Sequence, residues 1–147
     1  KRSETEAVAT SPLSQPETIT WIGHDGEPVY GLYYPPASDR FEGIGLPPLI
    51  VSVHAGPTSQ ARAAYSGNAQ FFATRGFAVL EVNYRGSTGY GRAYRDKLLG
   101  MWGVYDVEDS ASGATASSKA SRTSASRASS VSSFASMSVL SPSSRRS

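Results

Sequence analysis

The 147-residue sequence predicts an α/β architecture, a doubly wound sheet that is present only in part. Three observations carry this. A β-rich pair of segments flanks an Asp-Gly turn, and a strand–helix–strand unit follows it. After Asp109 the chain becomes a Ser/Ala/Arg tract with no hydrophobic period.

Residues 1–17 are polar and Ser/Thr/Glu/Pro-bearing, and read as a flexible lead-in. Thr18–Gly23 and Pro28–Tyr34 are rich in β-formers, and Asp25-Gly26 between them is a strong hairpin signal. Pro35-Pro36 ends the second strand. Leu49–Val53 (LIVSV) is a short apolar run of the kind covered on both faces of a parallel sheet. The turn His54-Ala55-Gly56-Pro57 follows. Thr58 or Ser59 is then expected to cap a helix carrying Ala61, Tyr65, Ala69 and Phe72, with Gly76 as its stop. Phe77–Val82 is the next strand, so the unit is βαβ with parallel pairing and a right-handed crossover. A Gly-rich stretch, Asn83–Gly91, leads to a helix near Arg92, interrupted around Gly100–Gly103 and resumed through Tyr105–Asp109. The tract from Ser110 to Ser147 is nearly half serine, with too few large apolar residues for a core, and is expected to be disordered.

Charge divides the chain in the same place. Residues 1–109 hold nine basic and twelve acidic residues, net −3; residues 110–147 hold five basic residues and no acid, net +5. The high pI therefore describes the tail alone, and no nucleic-acid partner is expected. There is no cysteine, so disulfides, thiolate metal sites and a Cys nucleophile are excluded. His24 and His54 are too few and too far apart for a zinc site, and Asp106, Glu108 and Asp109 read as a solvated helix face; no metal or cofactor is expected. No apolar run approaches the ~20 residues of a membrane span, so no membrane partner is expected. The N-terminus has no apolar core and is not a signal peptide; a cytoplasmic setting is favoured. The first residue is not Met, which fits a fragment or a processed chain.

Ligands of open parallel sheets bind beyond the carboxyl ends of the strands. Two segments arrive there: His54–Pro57 and Asn83–Gly89. A glycine before a helix start leaves backbone N–H groups free for negative charge, as in an oxyanion hole; a bare strand-to-helix turn accounts for the same residues. Arg85 fits a contact to a substrate carboxylate or a structural partner for Asp106 or Asp109, and the structural role is favoured. Tyr84, Ser87 and Tyr90 are expected to shape a loop, and Met101 and Trp102 to pack.

PPLIVSVHAGPTSQ, FFATRGFAVLEVNYRGSTGYGRAYRD and GMWGVYDVED, in this order, resemble the start of the catalytic domain of the prolyl oligopeptidase family, in its acylaminoacyl-peptidase and dipeptidyl-peptidase-like branch. The resemblance covers residues 18–109 and implies an incomplete α/β-hydrolase fold, with a peptide as substrate of the intact parent. It implies that the Gly56 N–H is one oxyanion donor and that Ala55 replaces the first glycine of the family's His-Gly-Gly-Pro turn. A β-carbon there is costly only if the position needs positive φ. His54 stands where some relatives carry a tyrosine that donates to the oxyanion, and is expected to be a structural turn residue; it is not the family's catalytic base.

The family's nucleophile lies in Gly-x-Ser-x-Gly, with Asp and His later in the chain. These 147 residues contain no such motif, so no catalytic residue is assigned and no activity is expected. The tail serines have no positioned base. A shifted reading frame or a wrongly placed exon just after Asp109 would explain the tract; reading the other two frames past codon 109 without finding a Gly-x-Ser-x-Gly strand–turn–helix would count against it. Two alternatives stand beside the peptidase reading. One is a carboxylesterase-like fragment, since ester and amide acyl transfer share this machinery. The other is a non-enzymatic interaction protein with a basic Ser/Arg tail.

Overall fold

The computed structural model describes residues 13–38, 40, 43, 45–56 and 58–118. Strands β1 (Glu17–Ile22) and β2 (Pro28–Tyr34) pair antiparallel, with Ile22 opposite Pro28. Their turn closes through Gly23 N–H to the Glu27 carbonyl at 2.8 Å, and Gly26 takes the positive φ (86°) that the Asp-Gly pair predicts. Strands β3 (Leu49–Val53) and β4 (Ala78–Asn83) pair parallel, Val53 facing Val82, and the sheet order is β1-β2-β4-β3. Between β3 and β4 lies helix α1 (Gly67–Ala73), which supplies the crossover expected of a parallel pair. Helix α2 (Arg92–Asp96) and a helix at residues 105–118, α3, follow β4. The break between them falls at Gly100 and Gly103, both at positive φ.

Period-2 alternation sends the strands' side chains to two opposite layers. Trp21, Val29, Leu80 and Val82 form one buried cluster with Tyr84 and Leu98, and Tyr105 and Ala116 of α3 pack against it. Leu32, Tyr34 and Val79 form the other with Ala69 and, partly buried, Phe72 of α1. Burying each of the larger of these side chains contributes about 1.5–3 kcal/mol. Helices thus cover both faces, as in a doubly wound sheet, and the chain has an incomplete α/β-hydrolase fold.

Four expectations are corrected. Helix α1 is capped by Ser66, not by Thr58 or Ser59: the Ser66 hydroxyl accepts from Ala69 N–H at 3.3 Å. The segment ahead of it has its backbone groups bound elsewhere. Asn83 accepts from Ala61 N–H at 2.7 Å and donates to the Ala61 carbonyl at 3.1 Å, while the Ser59 carbonyl accepts from Thr88 N–H at 2.9 Å. The end of the expected lead-in is tied down. Ser14 is buried, exchanging bonds with Gln70 (2.9 and 2.7 Å) and donating to the Pro35 carbonyl at 2.6 Å. Residues 1–12 of that lead-in lie outside the described residues.

The third correction is at the C-terminal side. The tract expected to be disordered from Ser110 is helical to residue 118. Asp109, Gly113 and Ser117 are buried at a spacing of four, one face of a helix. Trp21 fits against Gly113 and donates its indole N–H to Ser112 Oγ at 3.0 Å. Residues 119–147, the rest of that tract, lie outside the described residues. Trp102, expected to pack, is 59% exposed.

Candidate active site

Parallel pairing of β3 and β4 brings their carboxyl ends side by side, and the two loops leaving them interlock. The His54 ring stacks on Tyr84, with centroids 4.6 Å apart, and its Nε2 lies 2.8 Å from Ser87 Oγ. The Tyr84 hydroxyl donates to the Gly56 carbonyl at 3.3 Å. One loop therefore grips the other at both ends of the His54–Gly56 turn.

Gly56 takes φ +70°, the left-handed region where a side chain is strained, although a β-carbon would meet nothing within 4 Å. Backbone conformation, not space, calls for glycine there. No described residue other than glycine has positive φ, so Ala55 sits in ordinary backbone and replaces a glycine without that strain. Pro57 lies outside the described residues. With α1 capped eight residues later than Thr58, the turn is not a helix N-terminus. Any donor it offers is a turn amide.

His54 is partly buried, and burial lowers its pKa below the ordinary 6.5 against an opposing pull from the backbone of Ala55 and Gly56. The ring is neutral at pH 7. Tyr84 is buried and its hydroxyl is held protonated by burial and by the nearby Asp106 carboxylate. Ser87 is 0% exposed, so its hydroxyl faces His54 and not solvent.

Arg85 turns away from this cradle. It is 1% exposed and donates to Asp109 from Nη2 at 2.7 Å and from Nε at 3.1 Å, while its backbone N–H donates to the same carboxylate at 2.8 Å. Nη1 donates to Asp25, and the guanidinium lies over the Tyr105 ring at 3.7 Å. Burial opposes its charge, but the hydrogen bonds and charges of Asp109 and Asp25 outweigh that cost and raise its pKa further. Of the two carboxylates considered from sequence, Asp109 is the partner, and Arg85 has no free face for a substrate.

Sequence reasoning missed two residues of the cradle. Asn83 latches Ala61 and also donates to Tyr90 OH at 2.9 Å, fixing the path of the chain after the His54–Gly56 turn. Ser87 was read only as a loop former. A small polar residue placed just beyond a parallel strand, opposite a histidine placed likewise, is the signal that could have paired them.

The model of the prolyl oligopeptidase family matches residues 63–131, continuing past Asp109 into the serine-rich tract. Dipeptidyl aminopeptidase BIII of Pseudoxanthomonas mexicana is 46% identical over 55 residues, 37% of this chain and 8% of that protein. A crystal structure of puromycin hydrolase superposes with a TM-score of 0.75 at 44% identity, covering 80% of this chain and 18% of that one. An acylaminoacyl peptidase of Pyrococcus horikoshii gives a TM-score of 0.61 at 26% identity, covering 70% and 16%. The chain spans less than a fifth of each of these relatives.

Proposed function

The chain belongs, over this partial region, to the prolyl oligopeptidase family of serine peptidases, and from that premise we propose that it is the opening part of a catalytic domain whose intact form hydrolyses short peptides. The observation that supports this most is the interlock of His54–Gly56 with Tyr84–Ser87 beyond two adjacent parallel strands.

Peptide hydrolysis through an acyl-enzyme needs a hydroxyl to attack the carbonyl carbon, a base to take its proton, and donors for the oxygen that becomes negative. Gly56 offers its N–H as one such donor. A preorganised donor of this kind is worth about 2.7–4 kcal/mol in the transition state, because it needs no reorganisation as charge develops. Fixing the Gly56 carbonyl on Tyr84 and the preceding ring between Tyr84 and Ser87 is what preorganises the turn. His54 fits a structural part better than a donor's part, since its Nε2 is already engaged.

These 147 residues lack Gly-x-Ser-x-Gly, and the described serines near the cradle do not substitute for it. Ser87 has a histidine beside it but is fully buried and cannot reach a substrate. By themselves the 147 residues are accordingly proposed to be inactive.

The test is a chimera in which residues 18–118 replace the matching segment of the puromycin hydrolase relative, which supplies nucleophile, acid and base. Labelling by a fluorophosphonate and turnover of an aminoacyl amide are expected from the chimera, and no labelling from the 147-residue chain. A folded chimera that turns over simple esters but no amide would move the reading to an esterase. A folded chimera with no labelling would defeat acyl transfer altogether.

A further inference from the structure

The two loops of the cradle touch along three successive rungs. Ser87 Oγ lies 2.8 Å from the His54 ring, Thr88 N–H donates to the Ser59 carbonyl at 2.9 Å, and the Gln60 carboxamide lies against Gly89. The third rung is shaped to one side chain. Gly89 has φ +91°, and a β-carbon there would overlap Gln60 Oε1, so only glycine leaves the carboxamide its place. The backbone on both sides of Gln60 is tied down. Thr88 holds Ser59, and the Asn83 carboxamide holds Ala61 through its N–H (2.7 Å) and its carbonyl (3.1 Å). Gln60 itself is partly buried, yet its carboxamide makes no hydrogen bond among the described residues. A polar group held this firmly and left unbonded is presented, not packed.

A carboxamide carries an acceptor oxygen and two N–H donors, so it can take the N–H and engage the carbonyl of one residue in an extended chain. Asn83 already makes this pairing with Ala61. Gln60 follows Gly56 by four residues, which puts their α-carbons at most ~14 Å apart. An extended peptide covers that span in about four residues. We infer that Gln60 binds the substrate's backbone, its carboxamide accepting from the N–H and donating to the carbonyl of one residue near the carbonyl held at Gly56. The inference rests on the peptide-hydrolase reading and narrows its substrate class to extended peptides with at least one peptide bond besides the scissile one.

The experiment is nitrogen–proton NMR of the full 147-residue chain, titrated with N-acetyl-tetraalanine amide. The Gln60 side-chain NH2 and Gly56 N–H signals are expected to shift together along one binding curve, with Val82, inside the sheet, unmoved. Gln60→Ala is expected to weaken binding about tenfold, as loss of an ordinary hydrogen bond does. It is expected to leave the urea midpoint of the free chain unchanged, because the carboxamide bonds nothing within the fold. Gly89→Ala keeps Gln60 but fills its place, and is expected to weaken binding as much.

Gln60 signals that stay still while Gly56 shifts overturn the inference, and so does a peptide that shifts neither. Unchanged affinity in either folded variant overturns it too; should Gly89→Ala not fold, Gln60→Ala decides alone. None of these readouts involves a nucleophile. A labelled chimera beside an unmoved Gln60 keeps the acyl-transfer reading and loses the inference, whereas an unlabelled chimera beside a shifting Gln60 loses the reading and keeps a peptide-binding residue.

Discussion

Arg85 and Asp109, 24 residues apart, meet as a buried pair in which one carboxylate takes both the side chain and the backbone N–H of the arginine. This pins the loop after β4 to helix α3. The same loop carries Tyr84 and Ser87, so the cradle is held in place from behind by a residue that faces away from it. Asp25 of the β1–β2 turn adds a third attachment.

Breaking a buried ion pair by removing one partner leaves an uncompensated charge and costs about 3–5 kcal/mol. Asp109→Ala is expected to lose stability in that range in urea unfolding followed by circular dichroism. Asp25 is different: its side chain is 38% exposed and its pairing with Arg85 is screened by solvent. Asp25→Ala is expected to cost no more than about 1 kcal/mol. Equal losses for the two variants would mean that the Arg85–Asp109 pair does not anchor the loop.

Gly113 tests whether residues beyond Asp109 belong to the fold. Alanine is favoured over glycine in a helix by about 0.8–1.0 kcal/mol. At position 113, however, a β-carbon would lie 2.7 Å from one Trp21 ring carbon and 3.1 Å from a Leu80 methyl. Trp21 is 6% exposed and Leu80 0%, so neither has room to retreat, and overpacking of this kind costs about 1–3 kcal/mol. Gly113→Ala is therefore expected to lower the thermal midpoint. Trp21 fluorescence should shift as well, read in a Trp102→Phe background so that the exposed indole does not mask it. A rise in the midpoint would show α3 undocked at this point.

The parts of the fold that were legible are those whose local and tertiary demands agree. Leu49–Val53 and the strand near Phe77–Val82 are apolar runs bounded by Pro and Gly, and buried parallel strands ask for little else. Asp25-Gly26 fixes the hairpin because its turn needs a positive φ. The position of the site followed from the open parallel sheet. The start of α1 was hidden because Ala61 and Tyr65 fall at helical spacing, while Asn83, distant in sequence, takes the Ala61 backbone bonds. The second half of α3 was hidden for another reason. Its most buried residues are Asp109, Gly113 and Ser117, and a face without large apolar residues gives no hydrophobic period to read. The Ser87–His54 contact depends on two loop conformations at once, which neither segment encodes alone.

Burial makes His54 harder to protonate in the folded chain than in the unfolded chain, where it titrates near 6.5. Above that value both states are neutral and the histidine has no effect on the pH dependence. As pH falls below 6.5 the unfolded state takes up the proton first, so stability declines until the lowered folded value is reached. The slope from one such proton cannot exceed about 1.4 kcal/mol per pH unit. His54→Gln keeps a polar side chain able to hydrogen-bond Ser87 and removes the titration. It is expected to flatten the dependence of the urea midpoint between pH 7.5 and 5.5. An undiminished slope in that variant would place the responsible group elsewhere.

Strand β3 is paired on one side only among the described residues, since the sheet ends with it. Its outer edge offers a row of free N–H and C=O groups, and Val53 at its end is 47% exposed. Such an edge is a template for pairing with a second chain unless a charge or a covering segment blocks it. The five strand residues, LIVSV, contain no charge. Val53→Lys is therefore expected to reduce self-association measured by sedimentation velocity at concentrations where the unmodified chain forms larger species. Phe71→Lys makes the control. Phe71 is 51% exposed on α1, so the substitution adds the same charge away from the edge. If both variants reduce association equally, net charge governs it and the open edge of β3 does not.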